Sequence, residues 1–239
     1  MNSLIIFPEE LTGSIARISG KHLSYLRELH DLKVGRKLPV NLWKQSLGYG
    51  EILEDKNSEL IVSFTPGLSP LPLNPVILIV AVPRPQTQKK VIHLAASLGL
   101  AAVHFVRCEN TEKSYLSSKS LSPENIQWEI VKGLEQSGDP NPPQIEVHQR
   151  FKTFIEDIAP GIISNCGSKI IFDTVPDNCQ SARKSETPAV FAFGPEAGWN
   201  DFEREKFKGL GFSAASLGPR ILRCETAVAL ALGKILPTS

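Results

Sequence analysis

The strongest constraint on the fold is a proline-rich break that divides the chain into two parts with different sequence patterns. Residues 65–75 read TPGLSPLPLNP and contain four prolines and one glycine. Proline removes a backbone donor and fixes φ, so this stretch suits neither a helix nor a central strand. We therefore predict a boundary here, with one domain over residues 1–70 and a second over residues 74–239.

The first part has the pattern of short strands joined by turns. Apolar or alternating runs occur at Leu4–Phe7, Leu38–Trp43, Tyr49–Leu53 and Leu60–Phe64. One segment, Lys21–Leu32, carries leucines three residues apart and is predicted to be a helix. Several short strands at close spacing predict a small β-barrel.

The second part alternates apolar strands with helices. Val76–Val82 (VILIVAV) is apolar throughout, as expected for a strand that is covered on both faces. Further strands are predicted at Ala101–Val106, Lys169–Phe172, Ala189–Phe193 and Ala214–Leu217. Helices are predicted at Gln86–Leu98, Pro123–Gln136, Asp201–Leu210 and Glu225–Leu236. The last is apolar on most sides, so we expect it to be buried, either within the chain or against a second copy of the chain. This alternation predicts an α/β domain with a mostly parallel sheet.

Composition excludes several classes of protein. Hydrophobic residues make up 41% of the chain, which allows a core and argues against disorder. The longest apolar runs are too short to span a bilayer, and Met1–Glu10 lacks a signal-peptide pattern, so we expect a cytoplasmic protein with no membrane partner. The cysteines, Cys108, Cys166, Cys179 and Cys224, form no close pair, so reduced thiols are expected and no metal site is predicted.

Basic residues are concentrated in two stretches, although the net charge is only +1. Arg17–Lys44 holds seven basic residues against two acids, and Arg84–Lys119 holds six against two. Such stretches indicate a face that meets phosphates, although ordinary solvated side chains explain them equally well. The residues selected as candidates for RNA binding are Arg27, Arg84, Lys89, Lys90 and Lys113.

Two glycine-containing loops near the end of the chain carry the clearest functional signal. Residues 194–199 read GPEAGW, residues 217–226 read LGPRILRCET, and each loop follows a predicted strand. Glycines beyond a strand's carboxyl end let a ligand approach the backbone closely. Neither loop has a dinucleotide or triphosphate fingerprint. The pair is therefore better suited to an adenine ring and an amino-acid tail than to phosphates.

These loops resemble a known family. FGPEAGW followed by SLGPRILRCETA is similar to the signature of the RsmE family of 16S rRNA uridine-N3 methyltransferases, which belongs to the SPOUT superfamily. Gln127-Trp128, Glu135–Gly138, Glu112–Ser114 and the N-terminal His22, Leu26-Arg27 and Val34-Gly35 resemble other parts of that family. The resemblance implies a PUA-like N-terminal barrel, a SPOUT α/β domain with a trefoil knot, and a homodimer.

The resemblance also implies a cofactor and the residues that bind it. The implied cofactor is S-adenosyl-L-methionine, and the implied substrate is 16S rRNA in the small ribosomal subunit. The residues expected to bind the cofactor are Phe172, Asp173, Phe193, Gly194, Pro195, Glu196, Ala197, Gly198, Leu217, Gly218, Ile221, Leu222 and Arg223. Arg223 and Arg220 are candidates to stabilise a uracil anion, and Glu225 is a candidate proton acceptor or a simple complement to the helix dipole.

Several positions depart from the family pattern. Ala197 replaces a glycine, Cys224 replaces a threonine, and Asp139 stands where an arginine is usual. Residues 84–90 also differ from the usual pattern. Because these departures affect the RNA side more than the cofactor side, two alternatives stay open: a SPOUT methyltransferase with another RNA target, and a non-catalytic RNA-binding or assembly protein.

Overall fold

The computed structural model describes residues 3–29, 31–173, 180–181 and 187–235, with only the backbone at 180, 181 and 235. Cys179 and Leu236, which were part of the sequence predictions, lie outside the described residues. The chain divides into two compact units. The first comprises Met1–Leu73, Ala96–Gly99 and Ile130–Pro142, and the second comprises Asn74–Ala95, Leu100–Glu129 and Pro143–Ser239.

The first unit is built on a mostly antiparallel sheet. Its strands are β1 (Leu4–Ile6), β2 (Leu11–Thr12), β3 (Ile15–Ser19), β4 (Lys37–Leu42), β5 (Gly48–Lys56), β6 (Glu59–Ser63) and β7 (Thr65–Pro66). They are ordered β1-β4-β5-β6-β3-β2, with β7 beside β5, and the β1–β4 pair is parallel. Helix α1 (Gly20–Leu29) contributes Leu23 and Leu26 to the core between alternating strand residues such as Ala16 and Ile18.

Two predictions for the first unit need correction. Strand β3 was missed because only Ile15, Ala16 and Ile18 are apolar in its five residues. Helix α1 ends at Leu29 instead of Leu32. The chain turns after the helix, because Gly35 adopts a φ of +84° and its N–H donates to the carbonyl of Ile52 at 2.8 Å. Residues 31–33, which come before this turn, are not helical.

Asp139 has a structural role in this unit. Its Oδ2 accepts a hydrogen bond from the backbone N–H of Leu71 at 2.7 Å, and its Oδ1 accepts one from the N–H of Asn141 at 2.9 Å. The Asn141 side chain donates to the carbonyl of Leu71 at 2.9 Å. Both backbone polar groups of Leu71, in the proline-rich segment, are therefore held by this turn. An arginine at position 139 would lose these acceptors.

The second unit is an α/β structure around a parallel sheet. Its strands are β8 (Asn74–Ala81), β9 (Leu100–Val106), β10 (Gln144–His148), β11 (Ser168–Phe172), β12 (Gln180–Ser181), β13 (Ala189–Phe193) and β14 (Ser213–Ser216). They are ordered β10-β9-β8-β13-β11-β14-β12 and every described pair is parallel. Helices α2 (Pro85–Ser97) and α4 (Pro123–Ser137) begin in this unit, and their last residues are assigned to the first unit. The other helices are α3 (Lys113–Leu116), α5 (Phe151–Thr153), a π-helix (Phe154–Ile158), α6 (Ala159–Ile163), α7 (Asp201–Gly209) and α8 (Cys224–Ile235). The predicted α/β fold class is confirmed.

The sheet order places the site-bearing loops together. Strands β8, β13, β11 and β14 are consecutive neighbours, and all run in the same direction. The carboxyl ends of these strands therefore lie side by side at the same end of the sheet, which is where ligands bind in open α/β structures. The segments that follow these strands include both glycine loops and the start of helix α2.

Helix α8 is only partly covered within one chain. Val228, Ala231 and Leu232 are buried, but Ala229 is exposed and Leu230 retains 37% of its exposure. The helix therefore buries one face within the chain and leaves apolar residues on another. Among the described residues, no helix is long and apolar enough to cross a membrane.

Candidate cofactor site

A cavity of about 970 Å³ opens where the loops after the central strands meet. Every residue predicted to bind the cofactor lines it: Phe172, Asp173, Phe193, Gly194, Pro195, Glu196, Ala197, Gly198, Leu217, Gly218, Ile221, Leu222 and Arg223. The catalytic candidates Arg220 and Glu225 line it as well. Residues from the start of helix α2 and Tyr115 complete the wall, and the sequence analysis did not select Thr87 or Tyr115 for this site. The volume falls within the usual range for small-molecule sites.

The first loop is shaped by the buried ring of Trp199. The indole Nε1 donates to the carbonyl of Phe172 at 3.1 Å, which holds the ring beneath the loop. A Cβ atom on Gly194 would lie 3.0 Å from the ring atoms Cε2 and Nε1. Because Trp199 is only 3% exposed, the ring has little room to move. Position 194 therefore favours glycine, because a side chain there would force the Trp199 ring to shift.

The turn that follows tolerates the substitution at position 197. Gly198 has a φ of +79°, and its N–H donates to the carbonyl of Pro195 at 2.8 Å. Among the described residues other than glycine, only Lys44 has a positive φ. The turn therefore places its left-handed residue at Gly198, and Ala197 carries no such strain.

Helix α7 anchors the end of this loop through a capping box. Asn200 Oδ1 accepts from the N–H of Glu203 at 2.8 Å, and Glu203 Oε2 accepts from the N–H of Asn200 at 3.1 Å. Glu203 is 1% exposed, and its other oxygen accepts from the N–H of Glu109 at 2.9 Å. This carboxylate therefore ties the helix start to the segment after β9.

Asn200→Ala is expected to destabilise the fold. The change removes the side-chain acceptor at the helix start, a loss of about 1 kcal/mol. For a chain of this size, that loss lowers the melting temperature by roughly 2–4 °C. Calorimetry measures the shift, and Asn200→Ser, which keeps a capping oxygen, is the matched control. A melting temperature equal to the wild-type value would contradict a stabilising cap.

The second loop presents its backbone and two arginines to the cavity. Gly218 has a φ of +130°, and both its N–H and its carbonyl lie 3.2 Å from Ser216 Oγ. Ile221 is 88% exposed, and Arg220 and Arg223 are exposed as well. Within the described part of the chain, neither arginine forms an ion pair. These guanidinium groups are therefore available to an anionic ligand.

Three acidic side chains of the cavity wall each have a basic partner. Arg84 contacts Glu196 with two nitrogens, each at 2.9 Å, in a bidentate ion pair. The hydrogen bond between Arg84 and Tyr115 is the main cause that raises the pKa of Arg84, and the negative charge of Glu196 raises it further. Arg204 Nε donates to Asp173 Oδ2 at 2.7 Å, and this hydrogen bond raises the pKa of Arg204. The third pair involves Glu225.

Glu225 is an ionised carboxylate held by helix α2. Lys90 Nζ lies 3.0 Å from Oε1, and Thr87 Oγ1 donates to Oε2 at 3.3 Å. Burial raises the pKa of Glu225, but the bonds from Lys90, the backbone and Thr87 outweigh burial and leave the pKa below its ordinary value. The carboxylate is therefore a weak proton acceptor at neutral pH, and its geometry favours a positioning role.

Cys224, which stands where a threonine is usual, is not poised as a nucleophile. Burial raises the pKa of its thiol to about 12, and the nearby carboxylates of Glu225 and Glu196 add to the effect. The thiol therefore keeps its proton at neutral pH, whereas a reactive cysteine needs a thiolate.

The RNA-binding candidates lie in different surroundings. Arg84 and Lys90 belong to the ion pairs of the cavity wall. Arg27, in the first unit, donates to Asp55 at 2.7 Å and to two backbone carbonyls. Lys89 and Lys113 are exposed, and neither forms an ion pair within the described ranges. Among the five candidates, only Lys89 and Lys113 could bind a phosphate without first giving up an acidic partner that the described residues show.

Comparisons with known proteins identify the family of this chain. The sequence profile of a family described as RNA methyltransferase domain matches residues 69–236. The chain belongs to the RNA methyltransferase domain family. The chain is 32% identical over 167 residues to the ribosomal RNA small subunit methyltransferase E of Treponema pallidum (strain Nichols). That alignment covers 69% of this chain, which spans only 62% of the relative's length.

Two further proteins resemble the chain over nearly its whole length. The protein of the same name from Synechocystis sp. is 28% identical over 97% of this chain and 76% of its own length. A crystal structure of ribosomal RNA small subunit methyltransferase E from Neisseria gonorrhoeae, bound to S-adenosyl methionine, superposes with a TM-score of 0.76. It is 22% identical and covers 97% of this chain and 95% of that chain, so the likeness shows a shared fold.

Proposed function

We propose that this protein is an S-adenosyl-L-methionine-dependent methyltransferase that methylates N3 of a uridine in 16S rRNA, within the assembled small ribosomal subunit. The observation that carries the proposal is the convergence of both glycine loops on one cavity. The RNA methyltransferase domain match and the small-subunit methyltransferases among its relatives support the reaction and the target.

The residues of the cavity fit this cofactor. S-adenosylmethionine has an adenine ring, a positive sulfonium and an amino-acid tail, and no phosphate. Backbone groups around Gly194 and Gly218 supply donors and acceptors without side-chain bulk. Phe172 and Phe193, whose rings stack at 4.9 Å, supply an apolar surface, and the carboxylate of Glu196 supplies negative charge.

The chain's own residues position and polarise the target base. The bound cofactor supplies an electrophilic methyl group for an in-line displacement. Uracil N3 carries a proton at neutral pH, so attack requires the developing anion on the uracil carbonyls to be stabilised. The exposed guanidinium groups of Arg223 and Arg220 are assigned this role, with Arg223 preferred because it directly precedes helix α8. Glu225 holds Lys90 and Thr87 in place, and the N3 proton passes to water.

The remaining features belong to the same proposal. Residues 1–70 form a PUA-like RNA-binding barrel, residues 74–239 form the methyltransferase domain with a trefoil knot, and the protein works as a cytoplasmic homodimer without a metal in its reaction. The apolar residues left exposed on helix α8 and at Ile221 support the dimer. The hydrogen bonds of Asp139 weaken the case for a different RNA target, because they give that residue a structural purpose.

RNA affinity is expected to fall steeply with salt. Each phosphate neutralised by a lysine or arginine releases counterions, which gives a linear decrease of log affinity with log salt. Lys89→Ala and Lys113→Ala are each expected to reduce the slope by about 1. Fluorescence anisotropy with a fragment of 16S rRNA measures both effects, and Lys208→Ala on helix α7 is the control. An RNA affinity that does not change with salt concentration would contradict binding of RNA phosphates by Lys89 and Lys113.

Transfer of a labelled methyl group tests the proposal. Purified small subunits that lack the modification should incorporate label from S-adenosylmethionine, and large subunits should not. A chain that binds the cofactor and labels neither particle would favour the non-catalytic RNA-binding alternative. Equal labelling of both particles would contradict the proposed target.

A further inference from the structure

Two histidines and a glutamate form a cluster at the far edge of the parallel sheet. His104 lies on β9, and Glu146 and His148 lie two residues apart on the edge strand β10. Residues two apart on a strand point to the same face, and Glu146 pairs directly with His104 in the parallel register. The fold therefore brings all three side chains to one face. The described ligand atoms lie within 4.8 Å of one another.

The distances within the cluster match one face of a metal-coordination tetrahedron. His104 Nδ1 lies 3.1 Å from His148 Nε2, and Glu146 Oε2 lies 3.5 Å from each of these nitrogens. Ligands bound to zinc at about 2.0–2.1 Å in a tetrahedral site are separated by roughly 3.3 Å. A hydrogen bond between the two rings explains only the 3.1 Å contact. The carboxylate oxygen lies too far from either ring nitrogen for a good hydrogen bond, yet it faces both.

The surroundings favour a bound metal with one open position. The side chains of His104 and His148 are 5% and 11% exposed, whereas the Glu146 side chain is 37% exposed. The carboxylate therefore forms the solvent side of the cluster, where a water molecule can complete the coordination. The Gln144 side chain donates to the other oxygen of Glu146, as partners of metal ligands commonly do. Phe154 packs against both rings, with centroids 5.8 and 4.6 Å away.

We infer that His104, Glu146 and His148 bind a divalent transition metal of the zinc class, with water as the fourth ligand. Two imidazoles and one carboxylate suit Zn²⁺ and its late first-row neighbours better than Mg²⁺ or Ca²⁺. A metal bound here would link β10, which pairs only with β9 among the described strands, to the rest of the sheet. Because this cluster does not belong to the cofactor cavity, the inference does not depend on the proposed methyl transfer.

Zinc titration of the untagged, chelator-treated chain tests the site. The wild type is expected to retain one Zn²⁺ per chain in equilibrium dialysis. At a hundredfold excess over the dissociation constant, the melting temperature should rise by about 5–10 °C. Co²⁺ substituted for Zn²⁺ should give visible absorption of a four- or five-coordinate site without thiolate charge-transfer bands. Retention of less than half an ion per chain at saturating Zn²⁺ would overturn the inference.

Two variants assign the binding to this cluster. Glu146→Gln keeps the size and exposure of the side chain and removes the anionic ligand, so zinc affinity should fall at least tenfold. His148→Asn should cause a similar loss. His93→Gln, on helix α2 outside the cluster, is the matched control and should bind zinc as the wild type does. Unchanged affinity in both cluster variants, with metal-free melting temperatures near the wild-type value, would also overturn the inference.

Discussion

Gly218→Ala is expected to lower the affinity for S-adenosylmethionine by at least about tenfold. Gly218 has a φ of +130°, a conformation that residues with a Cβ atom rarely adopt. No atom lies within 4 Å of the position that the new Cβ would occupy, so the effect arises from the backbone and not from a clash. Such strain costs roughly 1–3 kcal/mol, and about 1.4 kcal/mol corresponds to a factor of ten in affinity. A loop that relaxes moves its backbone groups away from the cofactor.

A second glycine provides the matched control for this change. Gly211 has a φ of +83°, equally open space around its Cβ position, and no place in the cavity wall. Gly211→Ala should lower the melting temperature, as Gly218→Ala does, while cofactor affinity stays at the wild-type value. Calorimetric titration with S-adenosylmethionine measures both variants. Equal affinities in the two variants would show that the second loop does not hold the cofactor.

Arg223→Ala is expected to reduce methyl transfer at least tenfold, and by about a hundredfold if Arg223 is the principal group that stabilises the uracil anion. The side chain is exposed at the cavity and forms no ion pair among the described residues, so its removal leaves no buried charge behind. Much of the cofactor affinity should remain, because backbone groups of the loops provide most of the contacts. Single-turnover transfer to small subunits, measured beside calorimetric titration, separates the two effects.

Three variants distinguish the role of Arg223 from a general loss of positive charge. Lys208→Ala removes an exposed cation outside the cavity and should leave transfer unchanged. Arg223→Lys keeps the charge but loses the planar fork of donors, and it should recover only part of the rate. Glu225→Gln should cost less than Arg223→Ala, because the carboxylate is already held by Lys90 and Thr87. Wild-type turnover in Arg223→Ala would remove this arginine from the mechanism.

The central strands could be predicted from sequence because a buried parallel strand is apolar on both faces. Val76–Val82 and Ala189–Phe193 were located within two residues of their observed limits. The edge strand Gln144–His148 was missed because its polar residues mask any apolar run. The helical stretch from Phe151 to Ile163 was missed as well. Pro160 and Gly161 interrupt its pattern, and its middle is a π-helix.

The cavity residues could be predicted only because a family resemblance supplied them. Local patterns marked the glycine loops, but the meeting of both loops with Phe172 and Asp173 depends on the strand order, which no local pattern encodes. The basic partners of the cavity acids, Arg84, Lys90 and Arg204, were not predicted as partners. Such pairs join residues far apart in the chain.

The histidine cluster escaped the sequence analysis for a similar reason. Paired cysteines and closely spaced histidines are the sequence signs of a zinc site, and the chain has neither. A strand places residues i and i+2 on one face, so Glu146 and His148 form a pair at strand spacing. The third ligand, His104, comes from the adjacent strand, and only the register of β9 and β10 identifies it.

Nucleoside mass spectrometry of 16S rRNA is the most direct test of the central claim. Unmodified small subunits are incubated with the protein and S-adenosylmethionine, and the RNA is then digested to nucleosides. We expect new 3-methyluridine, reduced at least tenfold with Arg223→Ala and absent without the cofactor. No increase in 3-methyluridine, under conditions where calorimetry shows the cofactor bound, would contradict methylation of a small-subunit uridine at N3.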